Sequence, residues 1–457
     1  MLEQQTELKF KSALLPSGWA SDVVVTIDAH GNIAEIQDDI PGAINGCLIP
    51  GLANLHSHAH QRAMAGLAER AGSGDDSFWT WRATMYRFLD AMQPHHLHAI
   101  ASQLYLEILS AGYTRVAEFQ YLHHQGNGQD YDNVAEMSLQ TLNAASEVGL
   151  GITNLPVHYQ FSGFAEQAVS EQQQRFYNEP DSFLRIVGEL ERAVAENLNA
   201  NLGVAGHSLR ATNREMFTQV LDGLTSQDMP IHMHIAEQLK EVEDCIAWSG
   251  SRPVDYCLDN FDVGANWCLI HATHMSVTET QRLAASGAVA GLCPTTEANL
   301  GDGFFNATDY LMAGGRFGIG SDSHSSTSPV EELRWLEYGQ RLLHKTRNQL
   351  AGGRGRSTGR NLFDLAVAGG AQACAHNAGE IAVGKRADFV VLNHEHPLLI
   401  GRSGDEIIDS WIFSGNANAV QDVYVGGEHV IRDGAHAKQD QINKCFAETM
   451  RELQLAH

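Results

Sequence analysis

A chain of 457 residues can bury a large core, and a composition of 43% hydrophobic and 19% charged residues is ordinary for a globular protein. A formal charge of −25 argues against non-specific binding to nucleic acid or to anionic membranes. Because the N-terminus has no secretory signal pattern and no apolar run approaches the ~20 residues that span a bilayer, we expect a cytoplasmic protein without nucleic-acid or membrane partners.

The cysteines are few, odd in number and never arranged as a C-x-x-C pair. This pattern favours reduced, mostly buried thiols of an intracellular protein over a disulfide framework or a cysteine-based zinc site. We therefore expect no disulfide bond in this fold. The seven cysteines are at positions 47, 245, 257, 268, 293, 374 and 445.

The first part of the chain alternates apolar and polar positions, as in SDVVVTIDAHGNIAEIQ, and this predicts short antiparallel strands with a turn at HGN. The same pattern returns at residues 384–393 and at residues 420–434, where it predicts a hairpin around GGE. Two β-rich ends around a different middle indicate a small β-sandwich domain built from both chain termini, residues 1–48 and 378–457.

Between these ends, short apolar runs alternate with helical patterns such as LHAIASQLYLEILSAG and NVAEMSLQTLNAASEVG, each of which ends on a glycine. Strands that alternate with helices predict an α/β protein with a parallel sheet, and eight units favour a closed (β/α)8 TIM-like barrel, here residues 49–377. The eight runs lie between residues 46 and 324 and read GCLIPGLANLH, TRVAEFQY, GITNLPVHY, NLGVAGH, MPIHMHIAE, WCLIHATH, GAVAGLCP and GRFGIGSDSH.

Histidine and aspartate side chains follow several of the predicted strands at their carboxyl ends, where the active site of such a barrel lies. His56 and His58 end the first run, His234 the fifth, His271 the sixth and Asp322 the eighth. Each residue alone would more often have a structural role, but five of them at predicted strand ends are harder to attribute to chance. Three imidazoles and one carboxylate form a ligand set that zinc accepts.

The segments LHSHAH, HMHIAEQ, LIHATH and GIGSDSH, in this order, together with GEIAVGKRADFVVLN near the C-terminus, resemble the single-metal deaminase branch of the amidohydrolase superfamily. The resemblance implies one Zn²⁺ per subunit. It assigns His234 as a ligand instead of His232, because His234 precedes the proton-shuttling Glu237 by three residues. The implied metal ligands are His56, His58, His234 and Asp322, and the implied catalytic residues are Glu237, His271 and Asp322.

These residue types imply hydrolytic deamination. Zinc lowers the pKa of bound water towards ~7, so that hydroxide forms at neutral pH. Asp322 can accept a proton from the water, and Glu237 can carry a proton to the departing nitrogen. Addition of hydroxide to a carbon with a C=N bond would then expel ammonia.

Further segments resemble the formimidoylglutamate deiminase family: NLHSHAHQRAMAGLAE, DSFWTWR, AEFQYLHH, HSLRA and PTTEANLGDG. A guanidinium group can bind a carboxylate through two hydrogen bonds, so two arginines favour a small anionic substrate with two carboxylates. Either arginine alone could equally be a surface or ion-pair residue. The resemblance implies conversion of N-formimidoyl-L-glutamate to N-formyl-L-glutamate and ammonia, in histidine degradation. The substrate-binding candidates are Gln61, Arg82, Tyr121, His207 and Arg210.

Two other functions stay open at this point. A deaminase of an aromatic base or nucleoside in the same superfamily would favour stacking side chains and amide contacts over paired arginines. An inert metal-binding protein on the same scaffold is the second alternative, although Glu237 and Asp322 are both present. The frequency of closed symmetric assemblies predicts a homodimer.

Overall fold

The computed structural model describes residues 6–42, 45–69, 85–86 and 88–455. In these residues, eight parallel strands form a barrel in the order β5–β6–β7–β9–β10–β11–β12–β13, and the short β8 pairs with β7 at its side. The predicted (β/α)8 barrel is confirmed. The bounds are β5 (Leu52–Ser57), β6 (Tyr113–Gln120), β7 (Gly151–His158), β8 (Ala200–Leu202), β9 (Val204–Ser208), β10 (Ile231–Ile235), β11 (Trp267–His271), β12 (Val289–Leu292) and β13 (Arg316–Ile319).

The barrel strands are buried on both faces, because side chains fill the interior and helices cover the outside. Every residue of β5, β6, β7 and β10 is buried. This explains why the strands read as nearly continuous apolar runs without a polar alternation. The polar residues within them are therefore informative, because each one needs a partner inside the protein.

Helices follow the strands and surround the barrel. Several begin with proline in the first turn, as at Pro180, and several end on a left-handed glycine, for example Gly149 with φ 74°. Short 3₁₀ helices lie at Ala59–Met64 and Glu171–Gln173. The α-helices are α1 (Pro94–Ser110), α2 (Glu136–Val148), α3 (Pro180–Ala195), α4 (Arg214–Asp222), α5 (Leu239–Ser249), α6 (Pro253–Asn260), α7 (Val277–Ser286), α8 (Pro294–Leu300), α9 (Ala307–Met312), α10 (Pro329–His344), α11 (Thr358–Ala373), α12 (Asp405–Phe413) and α13 (Gln439–Leu455).

A second sheet combines strands from both ends of the chain, in the order β17–β16–β15–β14–β4–β1–β2–β3, with all pairs antiparallel except β1 and β4. Its core includes Phe10, Val25, Phe389 and Tyr424. This sheet fits the predicted small β-sandwich, whereas the exact limits of the two domains stay a prediction. The strands are β1 (Thr6–Leu15), β2 (Gly18–Ile27), β3 (Ile33–Gln37), β4 (Asn45–Pro50), β14 (Phe389–Leu392), β15 (Val420–Val425), β16 (Glu428–Arg432) and β17 (Ala435–His436).

The first predicted run divides between the two sheets. Residues up to Pro50 form β4 of the terminal sheet, and β5 of the barrel begins at Leu52. Gly51 joins them at a place where a Cβ atom would overlap the side chain of Thr114. Reading the run as a single barrel strand is therefore wrong, because hydrophobicity does not show which sheet a buried residue joins.

The barrel closes between its first and last strands. Ser57 and Asp322 form a parallel bridge there, and helix α11 packs against both β5 and β13. A Cβ atom at Gly369 of α11 would overlap the carbonyl oxygen of Phe317 in β13, so helix and strand touch through their backbones. Among the described residues, no helix is both long and apolar enough to cross a bilayer.

Candidate metal centre and active site

Four side chains at the ends of strands β5, β10 and β13 meet at the carboxyl end of the barrel. His56 Nε2 lies 3.0 Å from His234 Nε2 and 3.4 Å from Asp322 Oδ1, and His58 Nε2 lies 3.4 Å from the same Asp322 oxygen. Four ligands about 2 Å from one zinc ion in a tetrahedron are roughly 3.3 Å apart. The three separations above are close to this value, and the three histidines also form a group that could hold a metal ion.

Hydrogen bonds to backbone carbonyls orient two of the imidazoles. His58 donates from Nδ1 to Phe119 at 3.0 Å, and His234 donates from Nδ1 to His207 at 2.9 Å. In each ring, Nε2 is then left with a lone pair directed at the centre. Burial lowers the pKa of His56, His58 and His234, which keeps the rings in the neutral form that binds metal.

The backbone is left-handed at several of these strand ends. Ala236, His271 and Asp322 have φ values of 49°, 68° and 47°. A non-glycine residue in a sparsely populated region costs of order 1–3 kcal/mol and persists where surrounding contacts hold it. These turns place His271 and Asp322 at the candidate site, and functional sites are where such backbone strain is most often found.

Glu237 follows one of these turns and is buried beside the centre. Glu241 holds the turn, because its two carboxylate oxygens accept hydrogen bonds from the backbone N–H groups of Ala236 and Glu237, both at 3.1 Å. Burial raises the pKa of Glu237, while the neighbouring His271 acts in the opposite direction. A carboxyl group with a raised pKa is suited to proton transfer near neutral pH.

His271 lies among three carboxylates. Its Nε2 is 3.9 Å from Glu237 Oε1 and 3.8 Å from Asp322 Oδ2, and its Nδ1 is 3.3 Å from Glu297 Oε1. Burial alone would lower the pKa of His271, but Glu237, Glu297 and Asp322 raise it to about 10. The arrangement provides a positive charge next to the carboxylates.

A family model described as the amidohydrolase family matches residues 47–430, and the N-terminal domain of formimidoylglutamate deiminase HutF matches residues 10–43. Formimidoylglutamate deiminase from Pseudomonas aeruginosa is 51% identical over 445 residues, which cover 96% of this chain and 98% of the relative. This chain belongs to the formimidoylglutamate deiminase family of amidohydrolases.

Two further similar proteins are an amidohydrolase of known structure and a deaminase. A crystal structure of an amidohydrolase from Brucella melitensis superposes with a TM-score of 0.93 at 48% identity, covering 98% of this chain and 99% of that one. The 8-oxoguanine deaminase of Pseudomonas aeruginosa is 26% identical over 85% of this chain and 83% of its own length. The amidohydrolase family is metal-dependent, and this member has a three-histidine group that could hold the ion.

A cavity opens beside these residues at the carboxyl end of the barrel. Four of the predicted substrate-binding residues line it together with the catalytic candidates: Gln61, Tyr121, His207 and Arg210. Gln61 donates from Nε2 to the Tyr121 hydroxyl at 3.2 Å, and His60 Nε2 lies 2.9 Å from the same hydroxyl. Arg82 lies outside the described residues, so its role stays a prediction.

One carboxylate close to the metal centre was missed by the sequence analysis. Glu118 accepts hydrogen bonds from Ser57 Oγ at 2.6 Å, Ala59 N at 2.7 Å and Tyr105 OH at 3.0 Å, so it fixes the chain on both sides of His58. Burial raises its pKa to about 7. The sequence signal was a carboxylate within the apolar run TRVAEFQY, where a charged residue needs dedicated partners.

Proposed function

We propose that this chain hydrolyses N-formimidoyl-L-glutamate to N-formyl-L-glutamate and ammonia, a reaction of histidine degradation. The observation that carries the proposal is the 51% identity to a formimidoylglutamate deiminase over 96% of the chain. The presence of Glu237, His271 and Arg210 in one cavity supports it, because the reaction needs proton transfer and recognition of an anion.

We propose His56, His58, His234 and Asp322 as the ligands of one Zn²⁺ ion per subunit. The mixed nitrogen and oxygen donor set supports zinc, and so do the separations of 3.0 to 3.4 Å for the pairs His56–His234, His56–Asp322 and His58–Asp322. A zinc ion supplies Lewis acidity, which lowers the pKa of water towards neutrality.

The side chains around this centre would divide the proton transfers. Asp322 accepts a proton as the oxygen of water bonds to the formimidoyl carbon. Glu237 delivers a proton to the nitrogen that departs as the C–N bond breaks. His271, with its raised pKa, donates a hydrogen bond from Nε2 towards the reacting groups while Glu297 holds Nδ1. The ammonia that leaves carries the protons that the water lost.

The substrate carboxylates would be held on the other walls of the cavity. Arg210 supplies a guanidinium group, with Gln61, Tyr121 and His207 as further hydrogen-bonding groups. We propose the same role for Arg82 from the sequence alone. A small dianion in an otherwise acidic protein needs such local positive charge, since the formal charge of the whole chain is −25.

The direct test is to mix the zinc-loaded protein with N-formimidoyl-L-glutamate and identify the products. Ammonia together with N-formyl-L-glutamate is the expected result. Formamide together with glutamate would mean that the other C–N bond breaks, which contradicts the deiminase assignment. Absence of any product would overturn the proposed substrate and favour a deaminase of an aromatic base.

We also propose a cytoplasmic homodimer. Six buried and one exposed free cysteine fit a reducing compartment, and symmetric dimers are the commonest assemblies of soluble chains. Light scattering should give a mass of about twice the 49.9 kDa of one chain. A mass equal to that of one chain would contradict the dimer.

A further inference from the structure

The orientation of the Gln173 amide is fixed by its surroundings. Its Oε1 accepts a hydrogen bond from the backbone N–H of Ser170 at 2.9 Å, which places Nε2 on the opposite side. Nε2 donates to the hydroxyl oxygen of Tyr159 at 2.7 Å and to that of Tyr86 at 3.3 Å. Gln173 is buried, and these three contacts fix which side of the amide carries the oxygen and which the nitrogen.

This arrangement sets the direction of the two phenol groups. Each phenol oxygen uses a lone pair to accept from Gln173, so its own hydrogen is directed to a different acceptor. Tyr86 and Tyr159 both line the cavity that contains the metal centre. The ring of Tyr159 packs against that of His207, with a centroid separation of 4.8 Å, so Tyr159 lies beside one of the proposed substrate contacts.

We infer that Tyr159 and Tyr86, oriented by Gln173, donate hydrogen bonds to one carboxylate of the substrate and help to select a dicarboxylate. The inference rests on the proposed function of this cavity. A hydroxyl that donates to a carboxylate makes a short, charge-assisted bond. Two neutral donors, turned away from Gln173, add to Arg210 in the same cavity without a further buried charge.

The test compares Tyr159→Phe with the unmodified protein on three substrates. These are N-formimidoyl-L-glutamate, N-formimidoyl-L-glutamine with a neutral side-chain amide, and 4-formimidoylaminobutyrate, which lacks the α-carboxylate. We expect kcat/KM on the glutamate derivative to fall by about 10- to 100-fold, as for loss of a hydrogen bond to a charged group. On at least one of the two analogues, the loss should be less than about threefold.

A selective loss is the decisive readout, because a structural defect would lower kcat/KM equally on all three substrates. An equal loss, or no loss, would overturn the inference. Tyr310→Phe is the matched control, since Tyr310 is a buried phenol that donates to the carbonyl of Arg316 at 3.1 Å and does not line the cavity. It should leave the ratio of activities on the three substrates unchanged.

Gln173→Glu tests the direction of the bonds. A carboxylate can only accept, so both phenols would turn their hydrogens towards residue 173 and away from the substrate. The added charge could repel the substrate by itself, and combining this change with Tyr159→Phe separates the two effects. We expect the double variant to be no more than about threefold worse than Gln173→Glu alone. Fully additive losses would contradict the proposed orientation.

The failure of this inference is distinct from the failure of the proposed function. If the unmodified protein does not deaminate N-formimidoyl-L-glutamate, the proposed function fails first. If it does so, and Tyr159→Phe shows equal losses or none, only the role of the two tyrosines is overturned.

Discussion

The Nδ1 atom of His271 lies 3.3 Å from Oε1 of Glu297, and this carboxylate also accepts a hydrogen bond from the backbone N–H of Cys293 at 3.0 Å. Glu297 thus connects the end of strand β12 to the ring of His271 at the end of β11. The contact fixes which nitrogen of His271 faces Glu237 and Asp322.

We predict that Glu297→Gln lowers kcat by about 10- to 100-fold, the range for loss of a partner that orients an active-site group. The amide oxygen of Gln can still accept a hydrogen bond from Nδ1 of His271. The substitution nevertheless removes the negative charge that stabilises the imidazolium form. Steady-state kinetics should show KM within about threefold of its original value. Glu243→Gln, at an exposed site, is the control. A pure KM effect would contradict the orienting role.

His232 and His234 offer a matched pair for the metal centre. We predict that His234→Asn loses stoichiometric zinc, because a ligand is removed, whereas His232→Asn keeps it. His232 is buried and donates from Nε2 to the carbonyl of Ala373 at 2.8 Å, so its replacement should lower the unfolding temperature instead. Metal analysis and thermal unfolding of both variants provide the check. Loss of zinc from His232→Asn, with zinc retained in His234→Asn, would mean that His232 and not His234 is the metal ligand.

Glu118 predicts a pH dependence of stability. Burial raises its pKa from 4.5 to about 7, so between these values the folded state holds more protons than the unfolded state. The stability that this protonation contributes is present below pH 4.5 and is lost as the pH rises through 7. The free energy of unfolding should fall by about 3 kcal/mol over this window.

In Glu118→Gln this contribution is absent, because the amide does not titrate. Urea unfolding of both proteins from pH 5 to pH 8, with a chelator present, measures the difference. As the pH rises, the unfolding free energy of the unmodified protein should fall relative to that of Glu118→Gln. A gap that is constant with pH would show that Glu118 does not titrate in this range.

Arg210 distinguishes a dicarboxylate substrate from an aromatic base. We predict that Arg210→Met raises KM for N-formimidoyl-L-glutamate by at least about tenfold, since a charge-assisted pair with a carboxylate is lost. Arg214→Met, on helix α4 and outside the cavity lining, should leave KM unchanged. An unchanged KM in Arg210→Met would remove the support for carboxylate recognition by this residue.

The sequence contained enough information for the barrel and for the region of the site. The apolar runs and the positions of His56, His234 and Asp322 at their ends depend on local periodicity and on one general property of parallel barrels. The family resemblance then assigned roles that spacing alone could not assign.

The groups that orient the site were not visible in the sequence, for a physical reason. Glu118, Glu241 and Glu297 act through hydrogen bonds to N–H and O–H groups of the backbone and of other side chains, and only folded coordinates show which donor each carboxylate reaches. The role of Gln173 is even harder to predict from the sequence. It lies in a short 3₁₀ helix after β7 and contacts Tyr86, which is 87 residues earlier in the chain.

A metal ion bound by the proposed ligands would also help to hold strands β13 and β5 together. Neighbouring strands elsewhere in the barrel share hydrogen-bonded ladders, whereas the described backbone bonds at the join are Asp322 N to His56 O at 3.0 Å and His58 N to Asp322 O at 3.3 Å. An ion bound by these same residues is a reversible cross-link between the first and the last barrel strand. Part of its binding free energy is then free energy of folding, as for a bond that closes a very long loop.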